Sequence, residues 1–168
     1  VSTVAVNLRD CAPFASAHRA DLAAADKARW DDLFQSGCRA QAAGNLAEAA
    51  DQFSQAAHWD DRHAEIRFRQ GQCALAAGQQ AEALAHFRAA RDLDTLRFRC
   101  DTRLNEITRK AVTGGERGGV RLADAESRFA EQSPQGLPGA EFFYEHVHLT
   151  FAGNCLLARI VTEQVEDL

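Results

Sequence analysis

LFQSGCRAQAAGNLAEAADQFSQAAHWDD, residues 33–61, and RFRQGQCALAAGQQAEALAHFRAARDLDT, residues 67–95, run in one register with a constant offset of 34. The offset pairs Gly37 with Gly71, Gly44 with Gly78, Ala49 with Ala83, Phe53 with Phe87, Ala56 with Ala90, and Asp60 with Asp94. These identities fall where a helical hairpin needs them. Gly37 and Gly71 lie in a first helix, at a point where a neighbouring helix must come close. Gly44 and Gly78 end that helix, because glycine accepts the left-handed conformation of a helix C-terminus. Glu48-Ala49 and Glu82-Ala83 open a second helix with an acid near its positive end. Ala49, Phe53 and Ala56 then recur at i, i+4 and i+7, one apolar stripe turned toward the first helix.

The period and residue types resemble the tetratricopeptide repeat, a helix–turn–helix unit of 34 residues, over about Trp30 to Asp94. Stacks of such units bury a continuous core and need atypical ends. SAHRADLAAADKAR, residues 16–29, is a candidate preceding helix, and RFRCDTRLNEITRKAV, residues 97–112, a candidate capping helix. The resemblance implies binding of a protein or peptide along the concave face of the first helices. By the family pattern that face includes Phe34, Cys38 and Gln41, then Phe68, Gln72 and Leu75.

Outside this module the texture changes. VSTVAV, residues 1–6, has the β-branched apolar pattern of a buried strand, and NLRDCAP reads as a loop. TGGERGG, residues 113–119, is a glycine-rich connection. It leads to a strand candidate, VRLAD, a short helix, AESRFAEQ, and a proline-bearing loop, SPQGLPG. FAGNCLLARIVTEQVED, residues 151–167, closes the chain as an amphipathic helix. The predicted class is therefore mainly α, helical hairpins with flanking helices between α/β segments at both ends. Its predicted boundaries are 1–18, 19–112 and 113–168. The chain starts at Val1 and contains no methionine, so it reads as a piece of a longer protein with more sheet upstream.

Composition narrows the function classes. Hydrophobic residues make up 46% and charged residues 26%, as in globular domains. No apolar run approaches the ~20 residues that cross a bilayer, and the first ten residues, with Asn7, Arg9 and Asp10, do not form a signal peptide. Five cysteines (Cys11, Cys38, Cys73, Cys100, Cys155) lack any CxxC spacing, which argues against a disulfide framework or a structural zinc site. Free thiols are expected at Cys38 and Cys73, and a reducing compartment such as the cytoplasm. The net charge of −5 hides a positive middle carried by Arg67, Arg69, Arg88, Arg91, Arg97, Arg99 and Arg103. Interspersed acids make this a salt-bridged face rather than a nucleic-acid site. The opposite charges of 19–61 and 62–110 permit head-to-tail self-association.

FFYEHVHLTFAGN, residues 142–154, places two histidines one residue apart beside a glutamate. In an extended segment His146 and His148 would point the same way, as two metal ligands can, but no third ligand is evident and no metal or cofactor is expected. A structural histidine pair bonded to backbone is the other reading. EHVHLTFAGNCLLA resembles the last block of the SGNH/GDSL hydrolases, D-x-x-H-P-x-x-x-G, with Glu145, His148 and Gly153 at the acid, histidine and glycine places. VRLADAES resembles the strand and acid that come before this block in the family, and TVAVNLRDCAP resembles the strand and proline-bearing loop that follow its central blocks. The resemblance implies a serine hydrolase in which His148 is the general base and Glu145 its orienter. The family's serine and oxyanion blocks have no counterpart here. The chain alone is therefore expected to be an interaction scaffold, and the intact protein an esterase or acyl hydrolase.

Overall fold

The computed structural model describes residues 1–113 and 120–166, apart from the side chain of Thr113. Of the glycine-rich connection read at 113–119, Thr113 ends a helix and residues 114–119 lie outside the described residues. The chain is mainly helical and divides into two compact units: Ala12–Leu96, and Val1–Cys11 together with Arg97–Leu168. Residues 97–113 thus belong with the terminal segments, and residues 12–18 with the hairpins.

The helical unit contains α1 (Ala24–Ala42), α2 (Leu46–Trp59), α3 (Ala64–Ala76) and α4 (Gln80–Leu93). They form two hairpins, α1 on α2 and α3 on α4, with α2 also packing on α3. Gly44 and Gly78 sit at φ +80° and +75°, the left-handed position that ends a helix. At each, the glycine N–H donates three residues back, to Gln41 O and Leu75 O, and the next residue donates to Ala40 O or Ala74 O. This paired closure satisfies carbonyls that a helix end leaves open. Gly37 and Gly71 mark the crossings. A Cβ built at Gly37 would lie 2.6 Å from the Phe53 ring, and one at Gly71 would lie 2.9 Å from the Phe87 ring. Phe53 and Phe87 are buried at these crossings.

Only the C-terminal part of the helix expected from Ser16 is helical, because α1 begins at Ala24. The residues before it are held by the hairpin ends instead. Asp94 accepts from the N–H groups of Phe14 and Ala15 at 2.9 and 3.1 Å. Asp60 accepts from Arg19 N at 3.2 Å and meets His18 Nδ1 at 2.9 Å. Trp30 Nε1 donates to the Asp60 carbonyl. Burial opposes ionisation of Asp60, but the Arg62 N–H and the His18 contact outweigh it and hold its carboxyl below the usual range. Burial pushes His63, beside His18, down to about 4, so that ring is neutral at ordinary pH.

The terminal unit contains α5 (Thr102–Thr113), α6 (Ala125–Gln132), a 3₁₀ turn (Pro134–Gly136) and α7 (Phe151–Glu166). Its core joins Phe129, Phe143, Leu156 and Ile160. The strands expected at 1–6 and 120–124 do not form as elements. Their segments meet in a single parallel bridge, Ser2 to Ala123, closed by Thr3 N to Ala123 O and Ala123 N to Val1 O. The ladder stops there because α6 begins at Ala125, and the opposite edge of the N-terminal segment is satisfied by a side chain. The Asn105 side chain on α5 takes both backbone groups of Val4, accepting from its N–H at 2.8 Å and donating to its carbonyl at 3.0 Å. Farther on, Asn7 and Leu8 donate to the loop carbonyls of His146 and Pro138. A buried asparagine and a loop therefore stand where neighbouring strands would satisfy the backbone.

Asp124 ties this unit together. It accepts two bonds from Arg109, one from Thr3 and two from Ser127, capping α6. The Arg109 guanidinium, helped by Thr3 and Ser127, holds its carboxyl at about 2 despite partial burial. A depressed carboxyl stabilises the fold above its ordinary value near 3.8, and that contribution is lost as pH falls toward 2. About 2 kcal/mol of the unit's stability should disappear over this window. Denaturant melts at pH 7 and pH 2 should show the loss, and Asp124→Asn should remove it by lowering the pH 7 value.

Candidate functional site

Glu145 and His148 lie in a tight turn just before α7. The turn is closed by an antiparallel bridge between Phe143 and Leu149 and by Tyr144 N donating to His148 O at 2.8 Å. Thr150 Oγ1 accepts from Gly153 N in the first turn of α7. Gly153 itself is required: a Cβ there would collide with the Phe142 carbonyl, whose oxygen accepts from Thr150 N.

Inside the turn, the Glu145 carboxylate gathers the backbone. It accepts from His146 N at 2.7 Å, Val147 N at 3.2 Å and His148 N at 2.7 Å. Its Oε1 also meets His148 Nδ1 at 2.5 Å. The His148 N–H, with the Val147, His146 and imidazole donors, holds the Glu145 carboxyl at about 2. An ionised carboxylate only accepts, so Nδ1 must carry the proton, and neutral His148 then presents a bare Nε2. The His148 side chain is 75% exposed, and Nε2 makes no hydrogen bond among the described residues.

His146 and His148 do not project alike from an extended segment. The turn puts His146 Nδ1 3.6 Å from Glu145 Oε2 with its ring 17% exposed, while His148 stands out in solvent. Among the described residues no group of three or more His, Cys, Asp or Glu side chains is placed to hold a metal ion. Asn7, which follows the first extended segment, is buried, and its side chain accepts from Asp10 N in a local turn.

The six concave-face residues divide. Phe34 stacks on Trp30, with ring centroids 4.8 Å apart, and packs on the core. Phe68 is buried, edge-on to Phe87 at 5.4 Å. Cys38 is half-buried against the same core, and Leu75 is half-buried near the end of α3. Gln41 and Gln72 meet, the Gln41 amide donating to Gln72 Oε1 at 3.1 Å. Arg69, read from sequence only as part of the positive middle, joins them by donating to Gln41 Oε1 and to Glu65 at 2.8 Å each. Buried surroundings push the Cys38 and Cys73 thiols up, so both are protonated and poor nucleophiles.

Among the described residues no helix is long and apolar enough to cross a membrane. No protein-family model matches the chain, and neither a curated protein nor a solved structure matches it.

Proposed function

We propose that this chain carries the acid–base half of an SGNH-type ester or acyl hydrolase site, with His148 as general base and Glu145 as its orienter. The observation that carries this reading is the 2.5 Å contact from His148 Nδ1 to a carboxylate fixed by three backbone N–H groups. That arrangement sets the tautomer and leaves Nε2 open to take a proton from a hydroxyl nucleophile. The nucleophile and oxyanion donors would come from other parts of the gene product, and the substrate class by family analogy is an ester-linked acyl group on a carbohydrate or lipid. Hydrolysis of p-nitrophenyl acetate by the gene product tests it. His148→Ala should lower the rate by roughly 10²–10⁴, the usual range for a general base. Equal rates in the parent and the variant would reduce the turn to framework.

A second reading concerns the helical unit as a tetratricopeptide-type module that binds a protein or peptide. It is favoured by the Gln41–Gln72–Arg69 network on the two first helices. Phe34 and Phe68 are committed to packing, so Cys38, Gln41, Gln72 and Leu75 would meet the peptide. Gln41→Ala with Gln72→Ala should weaken capture on a peptide array without changing helicity, and unchanged capture would sink this reading.

A further inference from the structure

Residues 14–19 are held as a ligand is held. Asp94 Oδ2 and Oδ1 take the N–H groups of Phe14 and Ala15, and Asp60 Oδ2 takes that of Arg19. The two aspartates are equivalent in the repeat, one at the end of each hairpin. Each also caps its own loop, through Arg62 N for Asp60 and Leu96 N for Asp94. Four residues reach at most roughly 13 Å when extended, and here that length of chain runs from Asp94 to Asp60. Two side chains are read. Ser16 Oγ accepts from Glu65 N at the start of α3. The His18 ring meets Asp60 Oδ2 and stands edge-on to Trp30 with centroids 4.6 Å apart. The Phe14 side chain is 45% exposed.

We propose that Asp60, Asp94 and the Trp30–His63 surface form a recognition site for an extended Ser-x-His peptide, occupied in this chain by its own residues 14–19. The partner it fits is a segment of another protein with that chemistry, which would displace the resident strap. The site lies at the hairpin ends and stands independently of both readings above. Main-chain recognition by repeated carboxylates is a mode that tolerates many sequences, while serine and histidine confine it. The resident segment competes at an effective concentration on the order of millimolar, so a free peptide reaches the site only when the strap is weakened.

The test uses the whole chain, a fluorescent peptide copying residues 12–20, and a second peptide with its histidine replaced by alanine. The His18→Ala chain should bind the first peptide about tenfold or more tighter than the parent chain does. It should also prefer that peptide over the alanine peptide by about tenfold, as expected for one charge-assisted hydrogen bond. Ser16→Ala supplies an independently weakened strap, and far-UV circular dichroism checks that both variants stay folded. Equal binding of the two peptides by folded variants, or no binding at roughly 1 mM, would overturn the proposal.

Discussion

Phe53→Ala is expected to destabilise the helical unit by about 3–5 kcal/mol, the range for truncating a buried phenylalanine. Phe53 is wholly buried, sits in the cluster with Trp30, Ala49, Ala56 and Ile66, and its ring lies under the backbone of Gly37. The same contact makes Gly37→Val costly from the other side. Carbon atoms prefer separations of about 3.5–4.0 Å, and the first added carbon would lie 2.6 Å from the ring. Overpacking of that kind costs typically 1–3 kcal/mol. Gly37→Ala is the milder form, since its clash is offset by about 1 kcal/mol of helix propensity. Urea unfolding followed by circular dichroism measures all three. A double mutant, Gly37→Ala with Phe53→Leu, should be less destabilised than the sum of its single changes, because the two residues share one contact. Strict additivity would mean that the ring does not press on α1.

Glu145→Ala should release the turn that presents His148. Four hydrogen bonds end on that carboxylate, three of them from consecutive backbone N–H groups. With the carboxylate gone, the amides of His146, Val147 and His148 should exchange with solvent roughly 10- to 100-fold faster, as loss of a charge-assisted bond predicts. Acid should do the same to the parent chain. The carboxyl is depressed from 4.5 to about 2, so its stabilising effect is complete above pH 4.5 and fades as pH falls toward 2. The imidazole carries a second signature. In the parent, neutral His148 should show its proton on Nδ1 in nitrogen-detected NMR, and in Glu145→Ala this tautomer preference should relax. An unchanged tautomer would remove Glu145 from the role of orienter.

The hairpins were legible from sequence because their determinants are local and repeated. A glycine at φ +80° or +75° and a phenylalanine opposite another glycine are constraints between neighbours in the chain. The 34-residue register displays each of them twice. The Glu145–His148 pair was legible for the same reason, since both members lie within one turn. The ends of the chain were another matter. VSTVAV has the residue pattern of a strand, yet whether it becomes one depends on what lies beside it. That neighbour on one side is the side chain of Asn105, about a hundred residues away, and no sequence pattern marks an asparagine on α5 as a substitute for a strand. The strap over the hairpin ends escaped in the same way. Asp60 and Asp94 were visible as a matched pair, but a carboxylate's partners are fixed only when distant backbone is brought to it. Sequence alone thus determined the elements whose stabilising contacts run between near neighbours. Tertiary structure decided every element whose backbone is satisfied from far away, because a buried N–H takes whichever acceptor the packed chain delivers.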